Sequence, residues 1–465
     1  MKVLTLDVGS SSIKAALCKN GTMKHLEKVE VPGLFHGAEV EIPAAKLLKS
    51  LRKAINRITD SHHQIDAITL DSFCPGVVAT DKSNAILFGC VTHQDRRSVK
   101  ESAEIEQRIG KDRHLQLTGN RPFPGGIGST TLLWFKHHEP DLFKRIAHIG
   151  QPTSLLIHHL TGQWVIDPSQ AAFLGLYDSI KLSGWIPELC QLLGLKESQL
   201  PQILFADQIA GKVTRSAADQ LGLPEGCPVF ASLVDTSAAM LATDCRPGRL
   251  VHSAGSTDVL ALCLEKPSPA DDLLTRPLGT GHKLPKRWLA VSTIAAGGST
   301  MHWLKDNLFA DYSSKKFHKL TQQLGKMLRD KKPHVPANTE VIFSPYLAGD
   351  RTATEARTAS FEHLTLATKR EDMLEAAIRS LARASRHRFE RLSKIHPICA
   401  EIFTMGGQTD LADIMHAHWP GKHTFTPLEF EAMSGLNRLA ACPSNGRDCD
   451  YSDRALIVDA RPSHN

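Results

Sequence analysis

The sequence predicts an α/β protein built from two halves, and three observations support this fold class. Strand-like runs alternate with helical ones, as they do in α/β domains. Each half opens with two strand-like runs joined by a short tip of glycine and hydroxyl residues, at 3–17 and again at 249–263. A chain of 465 residues is long enough for several domains at roughly 100–200 residues each.

The first half begins with a predicted β-hairpin. Residues 3–6 and 13–17 are apolar runs of strand length, separated by a Gly/Ser turn. Residues 44–59 then place apolar side chains at a period near 3.6, which predicts an amphipathic helix. An apolar strand over 65–70 follows and ends in Asp71.

The second half repeats this order of elements. Residues 249–254 and 258–263 are strand-like and are joined at Gly255-Ser256-Thr257, and a helix is predicted after the Gly297-Gly298-Ser299 turn. The string Cys245-Arg246-Pro247-Gly248 marks a break between the halves. The expected domains cover residues 1–244 and 245–441, followed by an irregular tail over 442–465.

Composition and charge exclude several functional classes. Hydrophobic residues at 42% and charged residues at 22% are ordinary globular values, which excludes disordered and fibrous proteins. The net charge of +6 is spread over the chain, so no nucleic-acid or membrane partner is expected, while a homodimer is left open. Because there is no signal peptide and none of the ten cysteines forms a CxxC pair, we expect a cytoplasmic protein with reduced, buried thiols.

The tip of the first hairpin is a candidate phosphate site. Gly9, Ser10 and Ser11 offer backbone N–H groups and hydroxyls to an approaching anion. Asp7 precedes them at a strand end, where a carboxylate suits a phosphate-bound Mg²⁺, and Lys14 adds a positive charge. An ordinary β-turn is the alternative, and such strings more often have that meaning.

Two later turns share this composition. Gly255-Ser256-Thr257 forms the second hairpin tip, and Gly406-Gly407-Gln408 follows an apolar run. A nucleotide held between two domains needs one small tip from each side, and flat glycine backbone suits an adenine ring or a ribose. A simple strand-to-helix turn also explains residues 406–408.

Asp235 is the candidate general base. It follows the apolar run 227–234 and precedes a helix start of small residues at 236–240. A carboxylate at the C-terminal end of a parallel strand lies at the rim where α/β sheets bind ligands. There it accepts the proton of a hydroxyl that attacks phosphorus. A helix N-cap, for which Asp is also favoured, explains Asp235 equally well.

Taken in order along most of the chain, these stretches resemble the FGGY family of carbohydrate kinases, within the actin/hexokinase-like ATPase superfamily. Residues 7–14 are similar to the first phosphate loop of the family, Ser232-Leu233-Val234-Asp235 to its base motif, and residues 255–257 to its second phosphate loop. The other similar stretches are 91–97, 160–178, 345–352, and the adenosine-side turns at 297–299 and 406–408.

The resemblance implies two ribonuclease-H-like domains with a cleft between them, the first binding sugar and the second binding nucleotide. It implies transfer of the γ-phosphate of ATP to a sugar hydroxyl, with Asp235 as general base and Asp7 as the Mg²⁺ ligand. The implied cofactor-binding residues are Gly9, Ser10, Ser11, Lys14, Gly255, Ser256, Thr257, Gly298, Gly406, Gly407 and Gln408.

Departures from the family motifs bear on the acceptor. Phe73-Cys74-Pro75-Gly76 stands where xylulose kinases carry a Gln-Met-His-Gly-like string, so the pocket wall is more apolar. His93 stands where a tryptophan is expected, Ser232 replaces a glycine, and Thr236 replaces Asn or Gln. The expected acceptor-binding residues are Phe73, Cys74, Pro75, His93, Asp95 and Thr236.

Three functions are left open by the sequence. The favoured one is a kinase acting on a ketose such as xylulose or sedoheptulose. The second is a kinase of the same fold that acts on another polyol or on a sugar acid, as the altered wall at 73–75 allows. The third is a non-catalytic, actin-like nucleotide sensor. Asp7 and Asp235 favour catalysis, because a sensor needs no carboxylate at an acceptor.

Overall fold

The computed structural model describes residues 1–19, 22–59, 64–279, 286–329, 341–350, 353, 357–428 and 430–441. It has the α/β class that the sequence predicts. The expected tail over 442–465 lies outside the described residues.

The chain divides into two compact units. The first contains residues 1–247, 263–289 and the described residues from 430 onward, and the second contains 248–262 and 290–428. The domain boundaries expected from the sequence lie after residues 244 and 441. The further crossings near 262, 289 and 428 depend on which strands and helices pack together, and the sequence pattern did not predict them.

The strands are listed here in chain order: β1 (Lys2–Val8), β2 (Ser12–Lys19), β3 (Thr22–Glu30), β4 (Leu34–His36), β5 (Glu39–Ile42), β6 (Ala67–Ser72), β7 (Gly76–Thr80), β8 (Cys90–Thr92), β9 (His148–Gly150), β10 (Val165–Ile166), β11 (Gln202–Ile203), β12 (Ile209–Lys212), β13 (Pro228–Phe230), β14 (Leu233–Val234), β15 (Leu250–Ala254), β16 (Asp258–Leu264), β17 (Leu274–Pro277), β18 (Trp288–Ile294), β19 (Ile342–Ser344), β20 (Ser360–Glu362), β21 (Glu401–Met405) and β22 (Thr424–Pro427).

The helices, again in chain order, are α1 (Ala44–Thr59), α2 (Val99–Ile109), α3 (Lys111–Thr118), α4 (Gly128–His138), α5 (Pro140–Arg145), α6 (Pro152–Thr161), α7 (Pro168–Leu174), α8 (Pro187–Leu193), α9 (Arg215–Leu221), α10 (Asp235–Leu241), α11 (Gly298–Leu308), α12 (Ser314–Arg329), α13 (Arg370–Ser393), α14 (Thr409–His416) and α15 (Glu431–Ala441).

Both units are built on a similar strand order. In the first, the main sheet runs β3-β2-β1-β6-β13-β12, and β14 also pairs with β6. In the second, the sheet contains the run β18-β16-β15-β21-β22. Each hairpin, β1–β2 and β15–β16, is antiparallel, and its first strand pairs in parallel with a later strand. The two predicted hairpins are therefore confirmed.

The amphipathic helix predicted at residues 44–59 is α1, with the same bounds. Its apolar stripe includes Leu47, Leu51, Ile55 and Ile58, none more than 1% exposed, and it packs in one core with the β1 residues. Burial of each such side chain stabilises the unit by about 1.5–3 kcal/mol. The remainder of the first unit adds a second sheet, β4-β5-β8-β7-β9, on which α4 and α6 pack.

Most of the described cysteines are buried. No described cysteine forms a disulfide bond, and each is buried except Cys399, which is half-buried. Cys442 and Cys449 lie outside the described residues. Within the described ranges, no helix combines the length and the apolarity that a membrane crossing requires.

Candidate active site

Three aspartates lie close together at one end of the main sheet of the first unit. Asp7 in β1 is directly opposite Asp71 in β6. Strand β14 pairs with the other edge of β6, so that Leu233 is opposite Asp71, and Asp235 follows β14 as the first residue of α10. The negative charges of Asp7 and Asp235 both act on Asp71. The predicted metal ligand and the predicted base therefore belong to one cluster.

No role was predicted for Asp71, the third member of this cluster. It is fully buried, and its Oδ1 accepts a hydrogen bond from the Val8 N–H at 3.3 Å. Its Oδ2 has no hydrogen-bond partner among the described residues. Burial, reinforced by the charges of Asp7 and Asp235, raises the pKa of Asp71 well above its usual range. The sequence contains a signal for this residue, because Asp71 follows the apolar run 65–70 directly.

The first hairpin tip lies beside Asp7. Lys14 is opposite Asp7 in the hairpin, and its Nζ lies 3.1 Å from the Asp7 Oδ2. The Gly9 N–H donates to the Ser12 carbonyl at 2.9 Å, which closes the turn around Ser10-Ser11. A Cβ at Gly9 would lie 3.0 Å from that carbonyl oxygen, so the turn suits glycine. The structure thus brings the predicted loop residues, Lys14 and Asp7 together.

Asp235 lies at the junction of a strand and a helix. Helix α10 begins at Asp235 and its N-cap is Val234, so the N-cap alternative does not describe Asp235. Its Oδ1 accepts hydrogen bonds from the Thr236 N–H at 2.6 Å and the Thr236 hydroxyl at 2.9 Å. Thr236, expected to contact the acceptor, therefore also orients the candidate base.

A strained residue precedes this junction. The apolar run 227–234 forms two short strands, β13 and β14, instead of one continuous strand. Ser232 lies between them with a φ of 76°, in the left-handed region that favours glycine. This is the position at which the family motif has glycine, so the substitution keeps the turn at the cost of backbone strain.

The predicted acceptor wall begins two residues after Asp71. Phe73-Cys74-Pro75 connects β6 to β7 and is buried throughout. The Phe73 N–H donates to the Val8 carbonyl at 2.8 Å, which extends the β1–β6 pairing beyond the opposed aspartates. The wall is therefore attached to the strands that carry the carboxylates.

The two other residues expected to contact the acceptor lie after β8. Asp95 is fully buried and accepts hydrogen bonds from the Val40 N–H at 2.8 Å and from the Arg97 Nη2 at 2.8 Å. His93 is half-buried, and its carbonyl accepts a bond from the Arg96 Nη1 at 2.8 Å. Because its carboxylate accepts hydrogen bonds from Arg97 and Val40, Asp95 stabilises this loop. Its contact with an acceptor stays a prediction.

In the second unit, three glycine turns that are far apart in sequence come together. The Gly298 N–H donates to the Gly255 carbonyl at 3.0 Å, and the Gln408 N–H donates to the Ala254 carbonyl at 3.0 Å. A Cβ at Gly298 would lie 2.4 Å from the Gly255 oxygen, and one at Gly406 would lie 2.3 Å from the Ala254 oxygen. Only glycine allows backbones to approach this closely.

The surface of this turn cluster offers polar groups. Ser256 is exposed, and its carbonyl accepts bonds from the Ser299 N–H at 3.1 Å and from the Ser299 hydroxyl at 3.0 Å. Thr257 is half-buried, and a Cβ added at Gly407 would meet no described atom within 4 Å. The predicted nucleotide-side residues of the second unit are therefore neighbours.

Among the described residues, no group of three or more His, Cys, Asp or Glu side chains is arranged to hold a metal ion. A nucleotide-bound Mg²⁺ does not need such a group, because it takes one or two protein carboxylates and completes its shell with phosphate oxygens and water. Asp7, together with the unpartnered Oδ2 of Asp71, fits that requirement.

Comparison with known proteins identifies relatives of this chain. Residues 2–242 match the N-terminal domain of the FGGY family of carbohydrate kinases, and residues 250–418 match its C-terminal domain. The chain is 25% identical to a xylulose kinase of Staphylococcus xylosus over 387 residues, which is 82% of this chain and 77% of the relative. It is 27% identical to an autoinducer-2 kinase of Klebsiella pneumoniae over 331 residues, which is 66% of this chain and 59% of the relative.

Solved structures share the fold. A xylulose kinase from Rhodospirillum rubrum has a TM-score of 0.79 at 23% identity, covering 95% of this chain and 89% of its own. A gluconate kinase from Lactobacillus acidophilus has a TM-score of 0.79 at 19% identity, covering 94% of this chain and 88% of its own. At these identities the likeness concerns the fold.

Proposed function

The chain belongs to the FGGY family of carbohydrate kinases, and from this premise we propose that it transfers the γ-phosphate of ATP to a sugar hydroxyl with Asp235 as the general base. Members of the family are sugar phosphotransferases that use ATP as the phosphate donor. The observation that carries the proposal is the cluster of Asp7, Asp71 and Asp235 on adjoining strands of one sheet.

Asp235 has the position and the orientation that a base requires. Thr236 holds one carboxylate oxygen through two hydrogen bonds, and the other oxygen takes the proton of the attacking hydroxyl. Such proton transfer contributes about 10²–10⁴-fold to the rate. The buried wall at 73–75 keeps water away from the acceptor, so that the sugar is phosphorylated in preference to water.

Residues that we propose for cofactor binding occur in each unit. In the first, Gly9, Ser10, Ser11 and Lys14 supply hydrogen-bond donors and positive charge for phosphates. In the second, the cluster of residues 255–257, Gly298 and 406–408 supplies backbone for the nucleotide. Mg²⁺, when bound, neutralises phosphate charge, and Asp7 is the ligand proposed for it, with Asp71 at its side.

The acceptor class has two candidates. A ketose is the candidate that the sequence motifs favour, and relatives named xylulose kinase support it. A sugar acid is the second candidate, and it is favoured by Arg276, a buried arginine of the first unit. The aspartate cluster argues against a sensor. Burying carboxylates close together destabilises the folded state, and a sensor does not require these groups.

Asp235→Asn tests the base. The amide has nearly the same size but cannot take a proton, so we expect kcat to fall by about 10²–10⁴-fold with nucleotide affinity unchanged. ADP release across pentoses, heptuloses, polyols and sugar acids measures turnover, and calorimetry measures ATP binding. The matched control is Asp219→Asn, which changes an exposed carboxylate on α9.

An Asn variant that turns over like the parent would exclude Asp235 as the base. A parent protein that binds ATP but phosphorylates none of these acceptors would support the sensor instead.

A further inference from the structure

The first unit contains a buried arginine that lies outside every candidate motif of the sequence. Arg276, in β17, is 4% exposed, and its Nε and Nη1 have no hydrogen-bond partner among the described residues. Its guanidinium carbon lies 4.4 Å from the centre of the Phe173 ring of α7, a cation–π contact that helps to hold the group in place. A buried charge without hydrogen bonds is costly, so a ligand that supplies acceptors stabilises this site.

The surroundings of Arg276 belong to the proposed acceptor site. Helix α7, which carries Phe173, packs on both β17 and β14, the strand that precedes Asp235. The carboxylates of Asp235 and Asp167 and the thiol of Cys74, in the acceptor wall, lie near enough to affect the guanidinium. Burial lowers the pKa of Arg276, but a guanidinium remains charged in proteins.

Neither nearby carboxylate forms a hydrogen bond with Arg276. The Asp167 oxygens accept bonds from the backbone N–H groups of Ser169 and Gln170, at 2.9 and 3.2 Å. Asp235 is held through Oδ1 by Thr236. The planar fork of guanidinium donors is therefore left for another partner, and a carboxylate matches that fork in shape and charge.

Helix α7 presents a second unbonded group on the same face. Gln170 is fully buried, and neither its Oε1 nor its Nε2 has a hydrogen-bond partner in the described part of the chain. It precedes Phe173 by three residues, so the two side chains share a helix face. A carboxamide both donates and accepts, which suits a hydroxyl.

We propose that Arg276 is a specificity-determining residue that binds a carboxylate of the acceptor, so that the acceptor is a polyhydroxy acid, with Gln170 bonding one of its hydroxyls. This inference rests on the proposed function, since it names the acceptor class of the same site. A neutral ketose leaves the guanidinium without an anion in a buried setting.

The test uses acceptors that differ only at the proposed anchor. D-gluconate and D-glucitol share their chain of hydroxyls and differ in a carboxylate against a hydroxymethyl group. We expect the parent to favour gluconate in kcat/KM by at least about 100-fold. In Arg276→Met this ratio falls to near one, and Arg276→Lys, which keeps the charge without the fork, lies between them. Arg113→Met, which removes an exposed arginine of the same unit, leaves the ratio unchanged.

Calorimetry without ATP separates the two proposals. Binding of gluconate to the parent and its loss in Arg276→Met support the inference even if transfer fails, whereas failed transfer to every acceptor contradicts the proposed function alone. A parent that phosphorylates glucitol or D-xylulose as well as gluconate overturns the inference and leaves the kinase assignment intact. The parent comparison requires no variant, so a misfolded Arg276→Met does not remove the test.

Discussion

Ser232 is a non-glycine residue in a left-handed, strained backbone conformation. The chain runs in the same direction through β13 and β14, which both pair in parallel with β6. It bends between them at this residue with a φ of 76°, and the side chain is fully buried. Its hydroxyl has no hydrogen-bond partner among the described residues, so no local bond offsets the strain. The strain lies three residues before Asp235, where it belongs to the geometry of the site.

We therefore predict that Ser232→Gly stabilises the protein. Glycine removes the penalty of about 1–2 kcal/mol for a left-handed conformation. It also increases the entropy of the unfolded chain, so we expect the free energy of unfolding to rise by only about 0.5–1 kcal/mol. Urea unfolding monitored by circular dichroism measures it. The control is Ser237→Gly, inside α10, where glycine should cost about 0.5–1 kcal/mol instead. A loss of stability in Ser232→Gly would show that the serine is not strained.

At the residue scale, acidic side chains at the ends of apolar runs are recognisable in the sequence as candidate site residues. Asp7 and Asp235 were selected in this way, and Asp71 had the same signature without a role. Arg276 carried no such signal, because a single arginine in a short strand looks like a surface residue. Its burial follows from contact with Phe173, about a hundred residues away in the chain.

Helix α7 carries Gln170 and Phe173 of the proposed acceptor site. It is seven residues long, has Pro168 in its first turn, and is capped by Asp167, whose carboxylate accepts the N–H bonds of Ser169 and Gln170. This Asp-Pro start is a regular N-terminal signature. The cap is fully buried, and burial raises the pKa of Asp167 to about 7 against the donated hydrogen bonds that lower it.

This raised pKa predicts a pH-dependent stability. The folded state binds a proton on Asp167 more tightly than the unfolded state, whose pKa is near 3.8. The contribution of this group is therefore complete below pH 4 and is lost as the pH rises toward 7. Asp167→Asn lacks this titrating group, so its stability does not show that loss. The free energy of unfolding of the variant, relative to the parent, should therefore rise by about 2–3 kcal/mol from pH 5 to pH 8.

Urea unfolding at the two pH values measures this difference. The matched control is Thr214→Ala, which removes an uncharged cap from α9 and should cost about 1 kcal/mol at both pH values. A parallel pH dependence in the parent and Asp167→Asn would contradict the assignment.

At the scale of the whole molecule, the first unit is completed by a helix from the far end of the described chain. Helix α15 packs on α10, whose first residue is Asp235. The Arg438 Nη1 donates to the Leu241 carbonyl at 3.0 Å and to the Thr243 carbonyl at 2.6 Å, where α10 ends. A Cβ at Gly435 would lie 1.8 Å from the Ala238 carbonyl oxygen. The two helix backbones are therefore in direct contact.

Gly435→Ala should separate these helices. The added methyl meets backbone and not a flexible side chain, so we expect a loss of about 3 kcal/mol. Because α10 begins at Asp235, a shift of the helix should also lower kcat, by up to about 100-fold. Unfolding and steady-state kinetics measure the two effects.

The matched control is Gly325→Ala in α12. There the added methyl meets the end of the Ile414 side chain, which can move, so the loss should be smaller and kcat unchanged. Equal effects in the two variants would contradict a specific coupling between α15 and Asp235, the proposed base.

The sequence by itself determined the local elements and the positions of the acids. The period of apolar residues defined α1 to the residue, and the Gly/Ser tips defined both hairpins. These features arise from interactions between residues near in the chain, whose spacing is visible in the sequence.

The tertiary structure alone decided which distant residues meet. The opposition of Asp7 and Asp71, the approach of Gly298 to Gly255, and the placing of Arg276 over Phe173 depend on strand register and on helix packing. No local pattern contains that information, because register is set by the burial of a whole sheet face. The acids were visible in the sequence, and their partners became visible only in the fold.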